Sequence, residues 1–203
     1  GPERTAGWPI IALTAAYEFT ADPYYLNGAK LIAMVAMDRQ DPETGGWLHR
    51  IGECKHDPAH YGGKPFMTGV LTTALARLHH ALPQSDQEDR DLREQVKRSL
   101  LRACDWLLDV AWQDDVSGFF YAQCPDFYGK PCAASPWMTC EALGYASEIS
   151  GDPRYTAIAK RALDKVIAAG RKGLGKSLAM DIRSTPHFIA LLAKKREPAP
   201  PTR

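Results

Sequence analysis

The hydrophobic positions of this chain fall into alternating charge-poor and amphipathic segments. The stretch from Trp8 to Ala21 is apolar on nearly every side, which predicts a helix buried between neighbours. A second helix is predicted to begin after Asp22, because Asp suits an N-cap and Pro23 suits the first helical position. The two helices therefore form a hairpin with one inner and one outer member.

The same pattern returns further along the chain. Residues 65–82 are again charge-poor, and the next helix carries an apolar stripe from Leu92 to Ala111 with charges on its other face. A third copy begins at Pro136, and residues 147–155 align without a gap with residues 17–25. A last helix is predicted from about 176 to 193, bent or broken before Pro186. Such units bury their faces only by stacking on each other. The sequence thus predicts an all-α helical-hairpin repeat, with short extended turns between hairpins, in a single domain over residues 3–193.

The composition does not favour a nucleic-acid-binding or membrane protein, and both ends of the chain have distinctive sequences. The chain has 25 Lys and Arg against 24 Asp and Glu, so no overall charge favours nucleic acid or an anionic membrane as a partner. No apolar run approaches the roughly 20 residues that span a bilayer. Residues 194–203 are basic and Pro-rich, and we predict a disordered tail. Gly1 and Pro2 match the remnant of a cleaved tag, and a signal peptide could have preceded them.

Four short motifs carry a resemblance to a known architecture. They are Asp22-Pro23-Tyr24-Tyr25, Thr44-Gly45-Gly46-Trp47, Gly118-Phe119-Phe120 and Gly151-Asp152-Pro153-Arg154-Tyr155. At these residues the chain resembles the six-hairpin, or (α/α)-toroid, carbohydrate-active proteins of the glycoside hydrolase and polysaccharide lyase type. The resemblance implies a ring of alternating inner and outer helices with the substrate at one mouth.

This chain supplies about three hairpins, half of what a closed ring needs. A half-ring leaves the flanks of its first and last inner helices without a neighbour. We expect a missing N-terminal half of the same protein, a homo-oligomer, or a last helix that caps the edge.

Two long inter-hairpin loops hold the candidate chemistry, residues 44–64 (the first loop) and 115–135 (the second loop). Loops of this length in a compact repeat are typical of functional segments, and aromatic faces beside polar donors suit a sugar ring. The predicted substrate-binding residues are Trp47, His49, Phe120, Tyr128 and Trp137. A structural alternative is that Trp47 and Phe119 plug their turns against the core.

Two kinds of catalysis compete at this mouth. A lyase needs a base to abstract the proton next to a uronate carboxyl, and His60, Tyr61 and Tyr121 are candidates. A hydrolase needs two carboxyl groups that flank the scissile bond. The loop-side carboxyl candidates are Glu53, Asp57, Asp126 and Glu141. The predicted catalytic residues are His60, Tyr61, Tyr121 and Glu141.

The loop cysteines leave three alternatives open. Cys54, His56 and His60 could bind zinc together with Cys124 or Cys132, because thiolate and imidazole are usual zinc ligands, although the spacing matches no standard finger. Such a site would make the chain a zinc-using toroid that resembles peptide cyclases. A disulfide between Cys54 and Cys124 and unlinked loops are the other two alternatives. We predict no cofactor, and the metal site is kept as an alternative.

The resemblance leads to a functional expectation. The chain is expected to be a toroid domain of a carbohydrate-processing protein that degrades an acidic or complex polysaccharide by lysis or hydrolysis. The expected location is extracellular or periplasmic. The alternative is a non-catalytic helical-repeat module that binds glycan or protein, or mediates self-association.

Overall fold

The computed structural model describes residues 2–128, 135–168 and 176–194. Within these ranges the chain forms seven α-helices. They are α1 (Pro2–Thr20), α2 (Pro23–Asp38), α3 (Pro65–Ala81), α4 (Gln87–Trp106), α5 (Ser135–Ser150), α6 (Pro153–Ala168) and α7 (Lys176–Lys194). The predicted tail falls mainly outside the described residues, since α7 ends at Lys194.

The helices form an inner row and an outer row. Helix α1 packs against α3, α3 against α5, and α5 against α7, so these four form the inner row. Each outer helix packs against the inner helix that precedes it, α2 on α1, α4 on α3 and α6 on α5. This confirms the predicted all-α hairpin repeat, with successive copies stacked side by side.

A glycine lies at each contact between neighbouring inner helices. Gly7 of α1 lies against Val70 and Leu71 of α3, and a Cβ on Gly69 of α3 would be 2.7 Å from the carbonyl oxygen of Met138 in α5. Gly144 of α5 lies against Phe188 and Leu191 of α7. The absence of a side chain allows the inner helices to approach closely, which explains why the inner row is continuous.

The turns inside the first and third hairpins use the same chemistry. Ala21 and Gly151 have φ angles of 58° and 79°, the left-handed conformation that ends many helices. The next residue is an N-cap in both hairpins: Asp22 accepts a hydrogen bond from the Tyr24 backbone at 2.9 Å, and Asp152 accepts one from Arg154 at 2.8 Å. The gapless alignment of residues 17–25 with 147–155 is therefore confirmed.

Short extended pieces follow the outer helices. Strand β1 (His49–Arg50) pairs antiparallel with β2 (Tyr61–Gly62), and β3 (Trp112–Gln113) pairs with β4 (Gly118–Phe119). Trp47 lies two residues before β1 and Phe119 lies in β4, and both rings are almost fully buried. The structure thus bears out the alternative in which these two rings plug their turns against the core.

One helix start and the interiors of two helices differ from the sequence prediction. Helix α1 begins at Pro2 and not at Trp8, which adds a buried Glu3 to the inner row. Helix α4 continues into a π-helical turn, Leu107–Ala111, before the second loop. Helix α7 continues through Pro186 without a break, where a bend or a break was predicted. A proline removes one backbone donor, and packing of Phe188 and Leu191 in the core holds the rest of the helix.

The outer face of the first hairpin exposes apolar side chains. Leu31, Met34 and Val35 of α2 are each more than half exposed. Beside them α1 and α2 border an apolar groove of about 470 Å³. This is the flank at which a ring with more hairpins would place its next neighbour.

Candidate active-site mouth

The two long loops meet at the end of the molecule where α1 and α3 begin. Gln123 joins them: its backbone N–H donates to the Gly63 carbonyl at 2.8 Å, and its side-chain oxygen accepts from the Gly63 backbone at 3.2 Å. His60 Nε2 donates to the Gln123 carbonyl at 2.6 Å. A Cβ on Gly62 would be 2.4 Å from that same carbonyl oxygen, so glycine is required for the loops to approach. We call the surface formed by these loops and the first turns of α1 and α3 the mouth.

Four ionisable residues form a charged cluster at the mouth: Glu3, His49, Glu53 and Lys64. Lys64 precedes α3 and is almost fully buried, and its Nζ donates to both carboxylate oxygens of Glu53 at 2.9 and 2.8 Å. His49 Nδ1 lies 3.5 Å from Oε1 of Glu3, whose side chain is fully buried in the first turn of α1. The first loop thus carries three of these groups, and the inner helix α1 supplies the fourth, Glu3.

The surroundings shift the pKa values of the two carboxyl groups of this cluster in opposite directions. Burial raises the pKa of Glu3 from 4.5 to about 7, and nearby Lys64 and Arg4 only partly oppose this effect. The hydrogen bonds from Lys64 lower the pKa of Glu53, which is half exposed. Burial also lowers the pKa of His49, which favours the neutral ring. A carboxyl group that holds its proton near neutral pH therefore shares this cluster with an ionised one, which is a pairing that acid–base chemistry uses.

Glu3 makes the stability of the protein depend on pH. The folded state binds the Glu3 proton more tightly than the unfolded state, so its contribution to stability decreases as pH rises from 4.5 through about 7. The rise in the Glu3 pKa from 4.5 to about 7 corresponds to at most about 3 kcal/mol of folding free energy. We expect Glu3→Gln to raise the free energy of unfolding at pH 8 and to flatten its decrease between pH 5 and pH 8, measured by urea denaturation.

The matched control is Glu18→Gln, an exposed position in the same helix. This variant should keep the pH dependence of the original protein. An equal pH dependence in Glu3→Gln and in the unchanged protein would contradict the assignment of a raised pKa to Glu3.

A pair of aromatic rings lies beside the charged cluster. Phe66 and Tyr121 stack with ring centroids 5.6 Å apart and planes 28° apart, and both are partly exposed. Lys64 Nζ lies 5.4 Å from the Tyr121 ring, and the Arg4 guanidinium lies 6.0 Å from the Phe66 ring. We call Phe66 and Tyr121 the aromatic platform. An apolar ring face bordered by charged donors is the surface that a sugar ring needs.

The structure brings together only part of the predicted site. Tyr121, His49 and Glu53 lie at the mouth as expected. Sequence reasoning missed Glu3, Lys64 and Phe66. The available signal for Glu3 and Lys64 was that each is an ionisable residue at the start of a charge-poor inner helix, where burial shifts a pKa.

The other predicted substrate-binding residues lie in different surroundings. Trp47 is buried and its Nε1 donates to the Ala36 carbonyl at 2.7 Å, and Phe120 is buried against Trp106. Neither ring therefore presents a face to a ligand. Tyr128 is half exposed and packs on Phe120, and Trp137 in the first turn of α5 packs against the core. Roles for Tyr128 and Trp137 in binding stay predictions.

The remaining catalytic candidates are dispersed. His60 is engaged with the Gln123 carbonyl, and Tyr61 in β2 is largely exposed. Glu141 lies inside α5 and is fully buried, with Oε1 3.0 Å from an Arg77 nitrogen and 2.9 Å from His187 Nδ1. Glu141 was expected on the loop side, and the structure places it in an ion-pair network between inner helices. Catalytic roles for these three residues stay predictions.

A second group of side chains lies where the two loops cross. Cys54, His56, Cys124 and Asp126 each place one possible ligand atom within 4.8 Å of the other three. Cys54 and Cys124 are both free thiols, so the disulfide alternative is not what the structure contains. His60, a predicted ligand, contacts the His56 ring but is not part of the group, and Cys132 lies outside the described residues. Asp126 was predicted only as a carboxyl candidate for catalysis.

The fold defines the chain as a toroid-type helical-hairpin protein. None of the helices in the described ranges is long and apolar enough to cross a membrane. No family model matches the sequence, and no curated protein matches it.

Solved structures with a similar fold do exist. The glycoside hydrolase family 76 mannosidase Bt3792 from Bacteroides thetaiotaomicron VPI-5482 is 15% identical, with a TM-score of 0.66 over 94% of this chain and 54% of that chain. An inactive variant of the alpha-1,6-mannanase GH76A of Salegentibacter sp. HEL1_6, in complex with alpha-1,6-mannotriose, is 15% identical, with a TM-score of 0.63 over 97% of this chain and 59% of that chain.

A third similar structure is the GH76 alpha-mannanase BT2949 of Bacteroides thetaiotaomicron. It is 14% identical, with a TM-score of 0.59 over 95% of this chain and 55% of that chain. The chain thus spans a little more than half the length of these structures. At this level of identity the likeness is one of fold, and it confirms the resemblance to the toroid carbohydrate-active proteins.

Proposed function

We propose that this chain forms part of a toroid glycoside hydrolase and that its mouth binds a polysaccharide or oligosaccharide. The observation that carries the proposal is the aromatic platform of Phe66 and Tyr121, bordered by Arg4 and by the ion pair of Lys64 with Glu53. Sugars bind well where their C–H faces stack on aromatic rings and their hydroxyl groups meet fixed charged or polar groups.

We favour hydrolysis over lysis because the solved structures of similar fold are glycoside hydrolases. A hydrolase needs one carboxyl group that donates a proton and another that is ionised. Glu53 is half exposed and Lys64 lowers its pKa, so it suits the ionised role, whereas Glu3 is fully buried and is not placed to donate a proton to a ligand. The similar structures are described as a mannosidase and alpha-mannanases, so mannose oligosaccharides are the first ligands to test.

An alternative of a different class is a module that mediates assembly. It is favoured by the exposed Leu31, Met34 and Val35 of α2 and by the apolar groove next to them. A missing half of the same protein or a second copy of this chain could cover this face. Homo-oligomerisation and a location outside the cytoplasm stay predictions.

The proposal is tested by saccharide binding to variants of the aromatic platform. We expect the chain to bind alpha-1,6-mannotriose or an acidic oligosaccharide in isothermal titration calorimetry. Tyr121→Ala and Phe66→Ala should each weaken binding by roughly five- to thirtyfold, because loss of one stacking face removes roughly 1–2 kcal/mol.

The control for these variants is Tyr24→Ala, which removes an exposed aromatic ring from the outer helix α2. It should leave affinity unchanged. Thermal unfolding of each variant, followed by circular dichroism, separates lost binding from lost folding. Equal affinities in Tyr121→Ala and Tyr24→Ala, or no binding to neutral or acidic oligosaccharides, would overturn the proposal.

A further inference from the structure

We propose that Cys54, His56, Cys124 and Asp126 bind one zinc ion, which links the first loop to the second. The two loops contribute equally, with a Cys-x-His pair at residues 54–56 and a Cys-x-Asp pair at residues 124–126. This inference is independent of the saccharide proposal, because it depends only on the four ligand atoms and their surroundings.

The distances between the ligand atoms match a tetrahedral site. Zinc binds sulfur at about 2.3 Å and nitrogen or oxygen at about 2.0–2.2 Å, so the edges of its tetrahedron measure roughly 3.3–3.8 Å. His56 Nδ1 lies 3.0 Å from Cys54 Sγ, 3.6 Å from Cys124 Sγ and 3.4 Å from Asp126 Oδ2. Cys124 Sγ lies 3.7 Å from Asp126 Oδ2. Three of these four separations fall within the expected range, and the shortest requires a shift of a few tenths of an ångström.

The chemistry of the four groups favours zinc over other common ions. Two thiols and an imidazole are soft or borderline ligands, which suit zinc and are poor ligands for magnesium and calcium. All four positions of the tetrahedron are filled by the protein, which is typical of a structural zinc site and leaves no position for a catalytic water.

The surroundings of the four groups suit a bound ion. Both thiols are buried in a small apolar cluster with Ile51 and Ala122, separate from the main core. His56 and Asp126 are partly exposed, so an ion can reach the site from solvent. The Asp57 backbone N–H lies 3.4 Å from Cys54 Sγ and the Lys55 backbone donates to Asp126 Oδ2 at 2.7 Å, interactions that orient ligands around a metal.

A zinc ion here would stabilise the conformation of the two loops that form the mouth. Apart from hydrogen bonds, the loops are joined by a satellite cluster of few apolar residues. Tyr121 packs against that cluster and also forms half of the aromatic platform. The ion would therefore connect segments 70 residues apart in sequence and position a platform residue through them.

The direct test is the zinc content of the chain purified in the presence of a reductant and without chelator. We expect about one zinc per chain by inductively coupled plasma mass spectrometry, falling at least tenfold in Cys54→Ser and in Cys124→Ser. The matched pair Asp126→Asn and Asp57→Asn removes one carboxylate from each loop. Asp126→Asn should weaken zinc binding at least tenfold in a competition titration with a chromophoric chelator. Asp57→Asn should not, because Asp57 caps the Ala59 backbone and is outside the ligand group.

Two further measurements on the unchanged sequence avoid any dependence on the folding of variants. Cobalt(II) added to the metal-free chain should produce thiolate-to-cobalt absorption near the ultraviolet and intense tetrahedral bands in the red. Removal of zinc should speed tryptic cleavage after the exposed Lys55 at least tenfold, and readdition of zinc should reverse this.

Three results would overturn the inference. They are a zinc content that does not change in Cys54→Ser, a chain purified under reductant that holds no zinc, and a cobalt complex without thiolate absorption. None of them depends on saccharide binding, so failure of the zinc site and failure of the proposed function are distinguishable.

Discussion

Replacing Trp106 with alanine is expected to lower the free energy of unfolding by about 3–5 kcal/mol, the cost of removing a large buried ring. Trp106 ends α4 and is almost fully buried. Its ring lies directly under two glycines of the first loop, and a Cβ on Gly46 or Gly63 would be 2.9 or 2.5 Å from it. The ring therefore supports the first loop at both of its ends, and a cavity there would release the loop.

Two variants test this prediction by urea denaturation followed by circular dichroism. Trp106→Phe should cost clearly less, because the indole nitrogen has no hydrogen-bond partner in the described part of the chain and an aromatic ring still fills most of the site. Trp112→Ala, which removes a half-buried tryptophan packed on Phe119, should cost about 1–2 kcal/mol. Equal losses in Trp106→Ala and Trp112→Ala would contradict the supporting role of Trp106.

Replacing Arg77 with alanine is expected to cost about 3 kcal/mol, because it removes the guanidinium that pairs with the buried Glu141 carboxylate. The Arg77 Nη2 atom lies 3.0 Å from Glu141 Oε1, and the Glu141 side chain is fully buried. Arg77 belongs to α3, Glu141 to α5 and His187 to α7. Loss of the Arg77 side chain would therefore weaken a network that links three inner helices.

A double-mutant cycle tests whether the cost arises from the buried charge. Glu141→Gln in the Arg77→Ala background should recover part of the lost stability, since a neutral amide does not need the cation. Additive losses, measured from urea midpoints, would show that Arg77 stabilises the protein by packing alone.

The hairpin repeat could be predicted because its signals are local. The motif Asp-Pro after α1 and after α5 encodes an N-cap and a first helical residue, and both caps form as expected. The alternation of charge-poor and amphipathic helices likewise depends only on which faces are buried.

The start of α1 was predicted too late because its first turn lacks an apolar pattern. Glu3 and Arg4 are charged, so their positions do not indicate a buried helix. Only the packing of α1 on α3 buries Glu3 beside His49. A shifted pKa depends on such contacts between distant segments, and no local pattern records them.

The proposed zinc site was likewise predictable only in part from the sequence. The thiol and imidazole groups of Cys54 and His56 raised zinc as an alternative, but Asp126 could not be assigned to that site from sequence. Asp126 joins the group through hydrogen bonds from the backbone of Lys55 and His56, which are about 70 residues away. Trp47 and Phe120 were predicted to bind substrate, because aromatic residues in loops suit sugar rings. Both are buried in the core instead, because burial removes their large apolar rings from water.

The central claim is that saccharide binds at the mouth formed by the two loops and the starts of α1 and α3. The most direct measurement is amide chemical-shift mapping by nuclear magnetic resonance during titration with alpha-1,6-mannotriose or an acidic oligosaccharide. The account predicts that the largest shifts fall in residues 3–4, 49–66 and 119–128, with little change along α2 and α6. Shifts confined to α2, or no shifts with either class of ligand, would contradict it.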